Sequence, residues 1–184
     1  MSNNSWNQTI ITMQSAGPTL TAASAASMLS GQSKFTFPAN LLKIGDHIHV
    51  KAAGIISCAV TTPGTARFDL RFGSTVVFDT LALNLNTVAK TSVPWTLDVD
   101  LVMRSVGSGT GAFLWGQGLF ASEAVVGSPL PSVGGNGVLN VPVASLAVSS
   151  GFDSTVSYVI DSFFTQTVAT GSLTCEQFRI IYET

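Results

Sequence analysis

Across residues 95–104 apolar and polar positions take turns: Trp95, Leu97, Val99, Leu101 and Met103 alternate with Thr96, Asp98, Asp100, Val102 and Arg104. Successive strand side chains point to opposite faces, so this period of two predicts a strand whose apolar face is core. Ten residues at ~3.3 Å each reach about 33 Å, twice the ~16 Å radius of gyration expected of a compact chain this long. The strand therefore crosses its whole domain. Residues 46–59 repeat the pattern, with Ile48, Val50, Ala52, Gly54 and Ile56 on one face and His47, His49 and Lys51 on the other. Phe68, Leu70 and Phe72 alternate with Arg67, Asp69 and Arg71, whose opposite charges suit a solvated or interfacial face. Val76, Val77 and Phe78 are too continuously apolar for a simple edge, which predicts that a strand at residues 75–83 is buried on both sides or bulged.

Turn chemistry separates these strands. In residues 61–65 Pro63 presets one central position and Gly64 accepts positive φ at the next. Gly73 and Ser74 make a second tight turn, and the glycines at 107, 109 and 111 make a third. The partner strand, residues 112–123, is expected to turn Phe113, Trp115 and Leu119 into the core. Further strands are read at residues 32–37, stopped by Pro38, at 138–143, broken by Pro142, and at 155–168 with Tyr158, Ile160 and Phe164. In residues 173–183 Phe178, Ile180 and Tyr182 alternate with Arg179 and Glu183. Residues 83–92 read as a loop or short strand, and 21–29 as one or two helical turns capped by Thr21. Eight to ten strands with no long helix and no internal repeat give an all-β antiparallel β-sandwich with jelly-roll-like topology.

Residues 1–33 contain no charged side chain, and most of 15–33 is Ala, Ser, Thr and Gly around Pro18. They read as an N-terminal arm ahead of a jelly-roll domain at residues 34–184. The arm is either a flexible tail or a segment laid over a neighbouring subunit, with a short strand around Trp6, Ile10 and Ile11. The second irregular stretch, residues 125–137, is rich in Pro and Gly and long enough to touch a partner. Candidate contacts are therefore Trp6, Ile10, Ile11, Leu20 and Leu29 in the arm, and Pro129, Leu130 and Pro131 in the loop.

Composition narrows the partners. The chain of 184 residues fits one domain, and only 10% of it is charged, against ~25% in a typical domain, while 46% is apolar. Much of the surface is then neutral or covered, which points to an oligomer or larger assembly. The eight Lys and Arg are scattered singly at a net charge of −2, with no basic stripe for nucleic acid. Mean hydropathy is +0.42, yet no run approaches the ~20 apolar residues of a membrane helix, so no membrane partner is expected. The N-terminus has neither the basic nor the apolar region of a secretion signal, so the chain is expected to stay in the cytoplasm after synthesis. Cys58 and Cys175 read as buried free thiols, with a disulfide as the alternative.

Catalytic chemistry would have to come from few groups. His47 and His49 are the only histidines, and two imidazoles spaced by two on a strand share a face and could ligate one metal. The cupin pattern, however, places a Glu a few residues after the second His, and here Lys51, Ala52, Ala53 and Gly54 follow. Asp98 and Asp100 share a strand face, which is ordinary for a solvated face and is also the arrangement of an acid/base pair. The Gly-rich run at 107–111 lacks the Lys-Ser or Lys-Thr of a phosphate loop. Gly116 and Gly118 beside Trp115 suit close packing, or alternatively a sugar platform. The chain is accordingly read as non-enzymatic, with no metal and no cofactor.

The run Leu42-Lys-Ile-Gly-Asp-His-Ile-His-Val-Lys-Ala-Ala-Gly54 is followed by Thr61-Thr-Pro-Gly-Thr65 and by Arg67-Phe-Asp-Leu-Arg-Phe-Gly-Ser-Thr-Val-Val-Phe78. These runs, Val93-Pro-Trp-Thr-Leu-Asp-Val-Asp-Leu101 and the hairpin at 107–120 resemble a group of tailed-bacteriophage virion proteins, and the resemblance covers residues 15–120 and 151–184. It implies a jelly-roll structural protein, usually trimeric, that decorates or cements a capsid or forms part of a head or tail appendage. It carries no catalytic signature, so it transfers no functional residue. The expected partners are further copies of the chain, as a homotrimer, and the major capsid protein or another virion protein; the expected location is the virion. The alternatives are a receptor- or glycan-binding head and, behind it, a cupin-like metalloenzyme.

Overall fold

Strands form where the period of two predicts them. The computed structural model describes residues 6–58, 64–126, 137–144, 148–169 and 171–184. Among these lie twelve strands: β1 (Asn7–Thr12), β2 (Ala26–Ser27), β3 (Phe35–Phe37), β4 (His47–Cys58), β5 (Thr65–Phe72), β6 (Thr75–Asp79), β7 (Leu83–Asn84), β8 (Lys90–Ser105), β9 (Phe113–Ser122), β10 (Val138–Val141), β11 (Tyr158–Gln166) and β12 (Ser172–Glu183). They build two antiparallel sheets, a front sheet ordered β1-β12-β4-β8-β9-β10 and a back sheet ordered β2-β11-β5-β6, with β3 also on β11 and β7 on β5.

The pairings nest. The first strand pairs with the last, β2 and β3 pair with β11, β4 with β8, and β5 with β6. A long antiparallel ribbon wrapped around a core gives this order, and it is the jelly roll that the strand count anticipates. The hairpin partner β9 and then β10 extend the front sheet beyond the roll.

The core lies between the sheets. Trp95, Leu97, Val99, Leu101 and Met103 are all buried, as the alternation along β8 requires. Phe68 is central, with ring centroids 5.1 Å from Trp95, 5.0 Å from Phe120 and 5.2 Å from Phe164. Full burial of such side chains contributes roughly 1.5–3 kcal/mol each. Near the end of β12, Asp46 is buried and accepts hydrogen bonds from the Lys43 amide at 2.7 Å and from the Tyr182 hydroxyl. Burial and the Asp46 carboxylate raise the Tyr182 pKa, so the phenol stays protonated and donates. Cys58 and Cys175 are free and buried, and burial pushes the Cys175 thiol up to about 12.

Several details differ from the sequence reading. Along β9 the buried positions are Leu114, Gly116, Phe120 and Ser122, whereas Phe113 and Trp115 are half-buried and Leu119 faces solvent. Both registers of this strand are apolar, and pairing decides: Leu97 stands opposite Phe120 and Leu101 opposite Gly116, so the core face of β8 selects the even positions of β9. A Cβ at Gly116 would lie 2.3 Å from a Leu101 methyl carbon and 2.9 Å from the Phe78 ring, so this glycine is a packing position. Val77 and Phe78 are both buried because the β5–β6 register shifts between Leu70 and Arg71, which is the bulge that their continuous apolarity allows. Residues 21–29 hold the two-residue β2 and no helical turn, since Ala26 and Ser27 pair with Phe164 and Phe163. Asp69, expected on a solvated or interfacial face, is buried beneath its own ion pair with Arg71.

Of the segment read as an arm, residues 6–33 lie along the sandwich. β1 pairs with β12, Met13 and Gly17 donate backbone hydrogen bonds to Phe178 and Cys175, and Leu20 exchanges two with Leu173. An uncharged, short-side-chain sequence has little to hold it in water, and backbone pairing along an open strand edge satisfies its amides. Most of the turn at 61–65 and of the loop at 125–137 lies outside the described residues.

Candidate functional site

The strands leave two outer faces. On the back face, β5 and β11 turn Arg67, Asp69, Arg71 and Asp161 outward, with Asp79 from β6 beside them. Asp69 and Asp79 stand directly opposite each other, an arrangement that repels unless each carboxylate has its own cation. Arg67 bonds Asp79 through two nitrogens, and Arg71 bonds Asp69 through two nitrogens. These hydrogen bonds, opposed by burial, raise the pKa of both guanidinium groups. Asp161, also buried, accepts from Lys34 Nζ at 2.6 Å, from the Ser27 hydroxyl at 2.7 Å and from the Ser162 amide at 2.8 Å. The Arg71 guanidinium lies 3.8 Å above the Phe163 ring. Among the described residues, each of these charged side chains has a partner.

The front face is arranged differently. Register sets His49 opposite Asp100 and Lys51 opposite Asp98 across β4 and β8. The His49 Nε2 reaches diagonally to Asp98 at 2.5 Å, and Lys51 Nζ sits 3.0 Å from the other oxygen of the same carboxylate. Burial raises the Asp98 pKa, but hydrogen bonds from His49 and then Lys51 outweigh it and hold the carboxyl below its ordinary range. Asp100 remains 3.8 Å from His49 Nδ1, too far for a hydrogen bond, and its side chain is 62% exposed. Two grooves flank the cluster. One of about 730 Å³ runs between Thr12, Lys51 and Arg179; the other, of about 720 Å³, lies between His49, Gln117 and Asn140.

The histidine pair singled out for metal binding shares this face, but His49 Nε2 is directed at Asp98 rather than toward His47. Among the described residues no three His, Cys, Asp or Glu side chains are grouped to hold a metal. Asp98 and Asp100 also share the face, and their nearest charged neighbours are His49 and Lys51.

One end of the sandwich forms a third surface. Asn7, Glu183, His47 and Val102 are successive register partners, so the start of β1, the end of β12, the start of β4 and the end of β8 lie together. The Gly45 amide bonds to Met103, and the Ser154 amide to Gly107, which brings the turns at 43–46 and 153–157 to the same end. Four large apolar side chains stand exposed there: Trp6 at 64%, Ile44 at 66%, Val106 at 43% and Val156 at 46%.

Of the contacts expected from sequence, Trp6 belongs to this end. Ile10, Ile11 and Leu20 are partly buried against the chain's own core, and Leu29 is buried within it, so Leu29 presents nothing outward. Pro129, Leu130 and Pro131 lie outside the described residues. Ile44, Val106 and Val156 escaped the sequence reading, although an apolar residue inside a polar turn is a visible signal. The meeting of Asp100, Gln117 and Asn140 across three strands was hidden by the phase assigned to β9.

No family model matches the chain, and no curated protein matches it. Among solved structures, the CBM2 module of the evolved Dit of Lactobacillus casei BL23 phage J-1 is similar at 13% identity, with a TM-score of 0.32 over 82% of this chain and 68% of that one. That likeness is too slight to speak to function.

Proposed function

We propose that this chain is a non-enzymatic structural protein of a tailed-bacteriophage virion, a homotrimer that decorates and stabilises the capsid by docking onto the major capsid protein or another virion protein. The observation that carries the reading is the end of the sandwich where strand register places the exposed side chains of Trp6, Ile44, Val106 and Val156. Single exposed apolar residues are ordinary, whereas several gathered on one surface mark an interaction site. The low charge of the chain and the resemblance of residues 15–120 and 151–184 to virion proteins support the same reading. A trimer multiplies each weak contact with a symmetric shell, so modest apolar patches suffice for stable attachment.

Native mass spectrometry followed by co-sedimentation with capsids tests it. A species at three times 19.1 kDa that sediments with capsids is the expected result. Trp6→Ala combined with Ile44→Ser and Val106→Ser is expected to abolish sedimentation while the unfolding midpoint stays put. A monomer, or attachment that survives the triple substitution, overturns the proposal.

A further inference from the structure

The groove of about 720 Å³ on the front face falls within the ~300–1,000 Å³ range of small-molecule sites. Strand register determines what lines it. Asp100 on β8 stands opposite Gln117 on β9, and Leu119 on β9 stands between Asp98 on β8 and Asn140 on β10. The lining therefore combines the carboxylates of Asp98 and Asp100 and the primary amides of Gln117 and Asn140 with the apolar Leu119 and Pro142. Leu119 is 50% exposed, an apolar surface that the fold itself leaves uncovered. Among the described residues no hydrogen bond reaches the Asp100 carboxylate, and His49 Nδ1 lies 3.8 Å from it.

This set of groups selects a ligand class. A carboxylate accepts hydrogen bonds, and primary amides both donate and accept, which matches hydroxyl groups that do both. Exposed Leu119 and Pro142 fit the C–H face of a pyranose ring. Asp98 is engaged by His49 and Lys51, whereas the Asp100 carboxylate beside it disfavours an anion, and the two amides disfavour a purely apolar ligand. We propose that this groove binds a short neutral saccharide, with Asp100, Gln117 and Asn140 as its hydrogen-bonding residues and Leu119 as its apolar floor. The site is on the sheet face, away from the apolar end proposed for attachment, so the two functions are separable.

An array of neutral and anionic glycans, followed by titration calorimetry on any neutral glycan retained, tests the assignment on the full chain. At least one neutral glycan is expected to bind. Asp100→Ala, Gln117→Ala and Asn140→Ala are each expected to weaken it about tenfold, the scale of one lost hydrogen bond to a ligand, with an unchanged unfolding midpoint. Arg67→Ala on the back face is expected to leave binding intact. Retention of anionic glycans alone, no neutral binding up to about 10 mM, or affinity unmoved by the three substitutions would each overturn it. So would hydrogen-exchange protection of β9 and β10 that appears only in the oligomer, because a second copy would then fill the groove. Saccharide binding by an unsubstituted chain that does not sediment with capsids would instead count against the attachment proposal alone.

Discussion

The back face pairs Lys34 with Asp161, Arg71 with Asp69 and Arg67 with Asp79, whereas the front face gathers His49 and Lys51 on Asp98 and leaves Asp100 reaching outward. Burial follows the same division. Asp69 and Asp161 are less than a tenth exposed, while the side chains of Asp98 and Asp100 are 44% and 62% exposed. A buried charge must be partnered within its own chain, because water cannot reach it. An exposed one is free to wait for a ligand. The contrast teaches that the two faces of one sandwich serve different ends: the back face closes the structure, and the front face presents it.

Among the charged residues of the two faces, the largest expected effect follows from breaking the closed face. Asp69→Ala leaves the Arg71 guanidinium held over Phe163 without its carboxylate, and removal of one partner from a buried pair costs ~3–5 kcal/mol. Arg71 keeps some solvent access and Asp161 nearby, so the expected loss is about 2–3 kcal/mol in urea unfolding at neutral pH. The corresponding Asp100→Ala on the front face is expected to stay within ~0.5 kcal/mol. Equal effects from the two substitutions would erase the distinction between the faces. The double substitution Asp69→Leu with Arg71→Met sharpens it, since replacing both partners is expected to recover most of the loss.

Much of this division was open to inspection in the sequence, and the part that was not has a specific cause. Alternation along residues 48–56, 68–72, 95–103 and 178–182 placed the core correctly because in each strand one register is wholly non-polar and the other carries the charged side chains. In β9 the registers Phe113, Trp115, Leu119 and Leu114, Gly116, Phe120 are both apolar, so periodicity could not choose between them. Gln117 was the available clue, a polar residue in the outward register. Asp69 failed for another reason: its position follows the period, but its burial comes from Arg71, Phe163 and Asp79, which only the sheet brings around it. The front-face groove is built from β8, β9 and β10 together, and no local pattern encodes such a meeting.

A second effect, smaller and dependent on pH, separates the faces by titration. The Asp98 pKa is lowered in the folded chain, so its contribution to stability is present above its unfolded value of about 4 and is lost as pH falls through the lower folded value. Asp98→Asn is therefore expected to cost at most ~0.2–1 kcal/mol near neutrality, as exposed pairs do, and progressively less below about pH 4. Unfolding of both proteins across the acid range measures this. A penalty that persisted undiminished in acid would mean that Asp98 acts through packing or a neutral hydrogen bond, and the front-face cluster would then resemble the closed one.

The smallest expected effect concerns Leu119, which the front face leaves exposed while its neighbour Phe120 is fully buried. Leu119→Ser removes apolar surface that the folded chain does not cover, so stability is expected to change by less than ~0.5 kcal/mol. A large-to-small change one residue on, Phe120→Ala, opens a cavity beside Phe68 and Trp95 and is expected to cost about 3–5 kcal/mol. A comparable loss at Leu119 would reverse the phase of β9, turn Leu119 inward and remove the apolar floor from the groove. Because one residue of slip exchanges the two faces of a strand, this pair of substitutions tests at once the register of β9 and the claim that the front face is left open.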